Sequence, residues 1–172
     1  MGKPKFSVFL DFDGVLNDTS NIRNILKCGG LFASKNDKKI FNEESIDALN
    51  ILISSLATKY DVGLVLTTFW RLNLDKCIQL LKFNGLQFDG NYDAIPFMLH
   101  QSRAKEIHAY IEFHRIENFC VIDDLPTLKK HFVAKNSIRT SMLNSALNKS
   151  KVNDYLQKFY PDLIETEKEI GD

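Results

Sequence analysis

The sequence predicts an α/β fold: a three-layer, Rossmann-like parallel sheet with helices on both faces, in a single domain over residues 1–172. Three observations predict it. The apolar runs Phe6–Leu10, Val62–Leu66 and Phe119–Ile122 read as strands buried on both faces. Segments with helical apolar periodicity lie between them. Each run ends in polar residues: Asp11-Phe12-Asp13-Gly14, Thr67-Thr68 and Asp123-Asp124. In open α/β sheets, ligands bind beyond the C-terminal ends of the strands.

Taken in order, Phe6–Leu10 leads into two carboxylates one residue apart. Such a pair beside a buried strand is costly without a compensating cation. Gly14 allows the sharp turn that follows. Asn17–Phe41 is a long, mostly polar insertion, read as a flap or minimal cap over the strand ends; Asn21–Lys27 forms a short helical turn, broken by Gly29-Gly30. Asn42–Tyr60 is a helix, with Asn42 as N-cap, Glu43 and Glu44 in the first turn, and Ile46, Leu49, Ile53 and Leu56 on one face.

Past the second strand, Leu72–Asn84 reads as a helix with Leu74, Ile78 and Leu81 inward and Gly85 as its stop. Gln87–Leu99 is irregular. Ser102 caps a helix from Arg103 to His114, with Ile107 and Ile111 inward. After the third strand come a short helix, Leu125–His131, and an edge strand, Phe132-Val133-Ala134. Val152–Phe159 forms a last helix stopped by Pro161, and the acidic tail 162–172 frays.

Composition narrows the function classes. Apolar residues make up 44% and charged residues 26%, as in ordinary globular chains. The 22 basic and 22 acidic residues are intermixed, so net charge shows no nucleic-acid footprint, although a local basic groove remains compatible with it. No run is long enough to span a membrane. The N-terminus enters the first strand at once, which predicts no signal peptide. Cys28, Cys77 and Cys120 form neither a CxxC nor a zinc pattern, and predict a reducing cytoplasm. His100, His108, His114 and His131 have no ligand spacing and read as surface or helix residues.

The strand ends carry the parts of a phosphoryl-transfer site: a nucleophile, an acid/base and charge neutralisation. Asp11 and Asp13 supply the first two, in either order as far as spacing goes. Thr67 offers a hydroxyl and an N–H to a phosphoryl oxygen, with Thr68 beside it. Asp11 and Asp123 suit Mg²⁺ as direct ligands, with the Asp13 carbonyl as a third; Asp124 lies further out or caps the helix that begins near Leu125.

The order DFDG, VLTTFWR, SRAKEIHAYIEFH, VIDD resembles the haloacid dehalogenase (HAD) superfamily of aspartate-nucleophile phosphohydrolases. Together with FNEESIDALNILI, it resembles the compact, nearly capless domains of nucleic-acid repair-like proteins and of nucleotide or polynucleotide phosphatases. The resemblance implies Asp11 as nucleophile, Asp13 as acid/base and Mg²⁺ as cofactor. It also implies a cation at the start of the helix before the last acidic strand, where Arg103 and Lys105 both stand. These lie roughly 200° apart around the helix, so only one faces the site. Lys105 is the expected one, as a compact charge on a flexible stem. Arg71, beside Trp70, is expected to reach a second phosphate or to pack with its guanidinium solvated. Lys135–Thr140 departs from the subgroup in lacking a glycine.

The expected function is therefore a Mg²⁺-dependent phosphatase acting on a nucleotide, a polynucleotide end or a small metabolite. A receiver-like phosphoacceptor module, a catalytically silent scaffold and a dehalogenase are the alternatives. The receiver reading is disfavoured because the DxD comes first here, and the dehalogenase because Asp13 is present.

Overall fold

The computed structural model describes residues 2–19, 40–143 and 146–164. The expected flap between residues 20 and 39, its helical turn, Cys28 and the tail beyond 164 lie outside the described residues.

Strands β1 (Lys5–Leu10), β2 (Asp61–Leu66), β3 (Asn91–Ala94), β4 (Phe119–Asp123) and β5 (Ser137–Arg139) form one parallel sheet in the order β3-β2-β1-β4-β5. Alternate residues of β1 feed two cores, because successive strand side chains point to opposite faces. Phe6, Val8 and Leu10 pack with Leu49, Leu52 and Leu56 of helix α1 (Glu43–Lys59), Leu81 of α2 (Leu74–Phe83), and Val152 and Leu156 of α5 (Lys149–Phe159). Phe9 packs on the other face with Val65 and Val121, with Ala104 and Ile107 of α3 (Arg103–His114) and with Leu128 of α4 (Leu128–His131). Burial on both faces is why the strands are continuous apolar runs rather than alternating ones.

The expected caps hold in part. The Asn42 side chain accepts from the Glu44 N–H and starts α1. Gly85, at φ 103°, ends α2 in a conformation that a side chain would disfavour. Ser102 precedes α3 but makes no side-chain cap bond.

Several expectations are corrected. The edge strand is Ser137–Arg139, not Phe132-Val133-Ala134: Phe132 turns into the core beside α3, and Val133 is exposed. Gln87–Leu99 is not wholly irregular, because Asn91–Ala94 pairs with β2. Asn and Asp are poor strand formers and hid it, while Tyr92 and Ala94 pack against the core. The helix expected from Leu72 begins at Leu74. Phe69–Leu72 is a 3₁₀ turn, and the Asn73 side chain accepts from the Lys76 N–H to start α2 afresh. Cys77 and Leu81 are its buried residues, with Leu74 and Ile78 half-buried. The short helix is confined to Leu128–His131, after Pro126.

The ends of the expected flap are also not flap. Asn17 and Phe41 are buried, and Phe41 packs its ring edge-on to Phe12.

Candidate active site

Register builds the site. The chain runs outward from β1 to β2 and β3, then returns to β4 on the other side of β1. The crevice therefore opens between β1 and β4, where strand order reverses. Leu10 pairs with Leu66 on one side and with Ile122 on the other. One step further along, Asp11 is flanked by Thr67 and Asp123. The Thr67 N–H donates to the Leu10 carbonyl at 2.9 Å, and the Asp11 N–H to the Ile122 carbonyl at 3.1 Å.

Carboxylate oxygens of Asp11, Asp123 and Asp124 all lie within 4.8 Å of one another. Asp11 and Asp123 are buried, and Asp124 is half-buried. Burial, reinforced by Asp123, pushes the Asp11 carboxyl up to about 7 against the opposing pull of Arg103. Burial raises Asp123 as well, and burial together with Asp123 raises Asp124. Three hard oxygen donors, each costly to ionise alone, suit a divalent cation such as Mg²⁺. Asp13 lies outside this cluster. Its carboxylate accepts from Trp70 Nε1 at 3.1 Å and from Asn17 Nδ2 at 3.4 Å, and so is held apart from the acid cluster.

Arg103 completes the site, contrary to the expectation of Lys105. Its Nη1 donates to the Asp11 carboxylate and to both oxygens of Asp123, at 3.1 and 2.9 Å. Asp11 and Asp123 hold the guanidinium charged although burial opposes it. A single guanidinium nitrogen thus bridges the two carboxylates. Lys105, two residues along α3, is exposed.

Arg71 does not wait for a phosphate. Its Nε donates to the Ile95 carbonyl at 2.8 Å, its Nη1 to the Thr67 and Thr68 carbonyls at 2.7 and 2.9 Å, and its Nη2 to Glu106 at 2.7 Å. Both partners of the ion pair are buried. Removing either would leave an uncompensated buried charge, at a cost of about 3–5 kcal/mol. Thr68 is likewise structural: it is buried, and its hydroxyl accepts from the Trp70 N–H at the start of the 3₁₀ turn.

Thr67 differs. Its Oγ1 is buried and has no hydrogen-bond partner, as is also true of Asn17 Oδ1 and Thr140 Oγ1. An orphaned buried hydroxyl costs about 1–3 kcal/mol, and this one stands beside Asp11.

Sequence reasoning missed three contacts: Trp70 and Asn17 on Asp13, and Glu106 behind Arg71. The Trp-Arg pair after Thr68 was visible, but its partners lie far along the chain. All four histidines are exposed, as expected.

Gly14 shows how tightly the acids are held. At φ 78°, a Cβ there would sit 2.3 Å from Asp124 Oδ2. Gly14→Ala is expected to destabilise the protein by about 1–3 kcal/mol and to raise the Mg²⁺ needed for its effect, by displacing Asp124. A chemical melt and a Mg²⁺ titration both unchanged from wild type would show that the position of Asp124 matters neither to the fold nor to the cation.

Residues 7–152 match the family model described as the HAD domain in Swiss Army Knife RNA repair proteins. No curated protein matches the chain at a significant level. Among solved structures, a haloacid dehalogenase-like family hydrolase from Streptococcus pneumoniae is similar at 18% identity. The match covers 87% of this chain and 90% of that one, with a TM-score of 0.39.

Proposed function

The chain belongs to the family of HAD domains found in Swiss Army Knife RNA repair proteins, and from that premise we propose that it is a Mg²⁺-dependent phosphohydrolase acting on a phosphate monoester through an aspartyl phosphate. The observation that carries the reading is the buried constellation of Asp11, Asp123, Asp124 and Arg103 beside the unpartnered Thr67 hydroxyl.

Asp11, Asp123 and Asp124 would hold the cation, which would supply charge neutralisation for the phosphoryl oxygens. The Asp11 carboxylate attacks phosphorus in line, and the bond from phosphorus to the ester oxygen breaks. Asp13, oriented by Trp70 and Asn17, gives its proton to the departing oxygen. It then takes a proton from water as that water attacks phosphorus, breaking the Asp11–phosphorus bond and releasing phosphate. Thr67 and Arg103 stabilise the charge on the phosphoryl oxygens.

A receiver module is disfavoured by topology, since that fold orders its strands 2-1-3-4-5, whereas here β1 lies between β2 and β4. No described helix is long and apolar enough to cross a membrane. The deciding assay is release of phosphate, with Mg²⁺, from a panel of phosphorylated metabolites, nucleotides and 3′- or 5′-phosphorylated oligonucleotides. Hydrolysis of none of them favours a silent scaffold.

The raised carboxyls also set a pH dependence. Because Asp11, Asp123 and Asp124 bind protons more tightly folded than unfolded, their contribution to stability is complete below about pH 4 and is lost as pH rises, for Asp11 through about 7. A divalent cation favours the ionised forms and offsets that loss. In EDTA, Tm is expected to fall between about pH 5 and about pH 8, and Mg²⁺ should raise Tm far more at the upper end. A Mg²⁺ effect equal at both ends would remove the acid cluster as its site.

A further inference from the structure

The rim of this site carries an apolar ledge that the chemistry above does not use. Phe69 is 69% exposed, Leu72 83% and Leu99 89%, with Phe97 and Met98 also exposed. The Phe69 and Phe97 rings lie 5.9 Å apart. Scattered exposed apolar residues are ordinary, but two exposed rings packed together beside a site mark recognition.

The ledge is rigidly built. The Arg71 guanidinium lies 3.5 Å from the Phe97 ring centroid and binds the Ile95 carbonyl, while Glu106 Oε1 accepts from the Met98 N–H at 2.9 Å. A buried ion pair thus fixes residues 95–98, with Ile95 anchored in the core and the Phe97 and Met98 side chains outward. The ledge is also continuous with the reacting groups. Arg103, which binds Asp11, has its guanidinium carbon 5.7 Å from the Phe69 ring centroid.

We propose that Phe69 and Phe97 form a stacking platform for an aromatic ring in the leaving group, so that the site selects phosphate esters carrying a nucleobase over bare sugar phosphates. Flat, exposed aromatic faces backed by guanidinium groups favour a planar π-system over an aliphatic chain. The platform sits one guanidinium away from the nucleophile, as a base attached near the reacting phosphate requires. The inference rests on the phosphohydrolase reading for its substrate, but not for its binding geometry.

The test compares adenosine 5′-monophosphate with ribose 5-phosphate, by kcat/KM and by equilibrium binding, in wild type, Phe69→Ala and Phe69→Tyr. Wild type should favour the nucleotide by about tenfold or more. Phe69→Ala should bring that ratio to within about twofold, and Phe69→Tyr should retain it. A merely structural role for Phe69 would weaken both ligands together and leave the ratio unmoved, which overturns the proposal. So does a wild type without preference, or a Phe69→Ala variant whose only change is conversion of a dimer to a monomer in sedimentation. If neither ester is hydrolysed but binding shows the Phe69-dependent ratio, the platform stands and the phosphatase reading falls.

Discussion

Asp11→Asn is expected to lower turnover by at least about 1000-fold while leaving the protein folded. The substitution preserves shape and removes the attacking charge. Folding should not suffer, because the Asp11 side chain is 3% exposed and a neutral amide is cheaper to bury than a carboxylate. The Asp11 carboxyl already resists ionisation, with its pKa pushed up to about 7 by burial and by Asp123. In EDTA near pH 8 the variant should melt no lower than wild type, whereas its response to Mg²⁺ should weaken. Wild-type turnover in a folded variant would remove Asp11 as nucleophile. Loss of activity accompanied by collapse of the melt would say nothing for it, so both measurements are made on the same preparation.

The second large effect belongs to Arg103. Arg103→Ala is expected to cost about 2–4 kcal/mol of transition-state stabilisation, or roughly 30- to 1000-fold in rate. Lys105→Ala, at an exposed position on the same helix, should stay near wild type. Arg103 also neutralises two buried carboxylates, so its loss should lower Tm in EDTA, and Mg²⁺ should recover more of that loss than it adds to wild type. If Lys105→Ala is the crippled variant instead, the assignment reverses. If both are near wild type, the guanidinium seen between Asp11 and Asp123 is dispensable for the reaction.

These predictions separate what was readable in the chain from what was not. Strands β1, β2 and β4 were legible because each is covered on both faces, so burial writes an unbroken apolar run into local sequence. Their polar ends were legible for the same reason: Asp11, Thr67 and Asp123 interrupt such runs where nothing but function or a turn explains them. Helix α1 announced itself through the Asn42 cap and one apolar face. The edge strands β3 and β5 did not, because an edge strand needs less apolar surface, and Asn91-Tyr92-Asp93-Ala94 is a sheet member only by virtue of its pairing with β2.

The sequence by itself determined the fold class, the polar strand ends and the choice of two cations for one place. Only the tertiary structure decided between Arg103 and Lys105, since both lie in the first turn of α3 and the outcome depends on which face the sheet turns toward Asp11. It also decided that Arg71 is a brace. A guanidinium is equally suited to a phosphate or to backbone carbonyls, and Glu106 and the carbonyl of Ile95, which claim it, reach it only when the chain has folded. Local sequence records which surfaces are buried; which partner meets a charged side chain is set by long-range register, and no short stretch of chain encodes that.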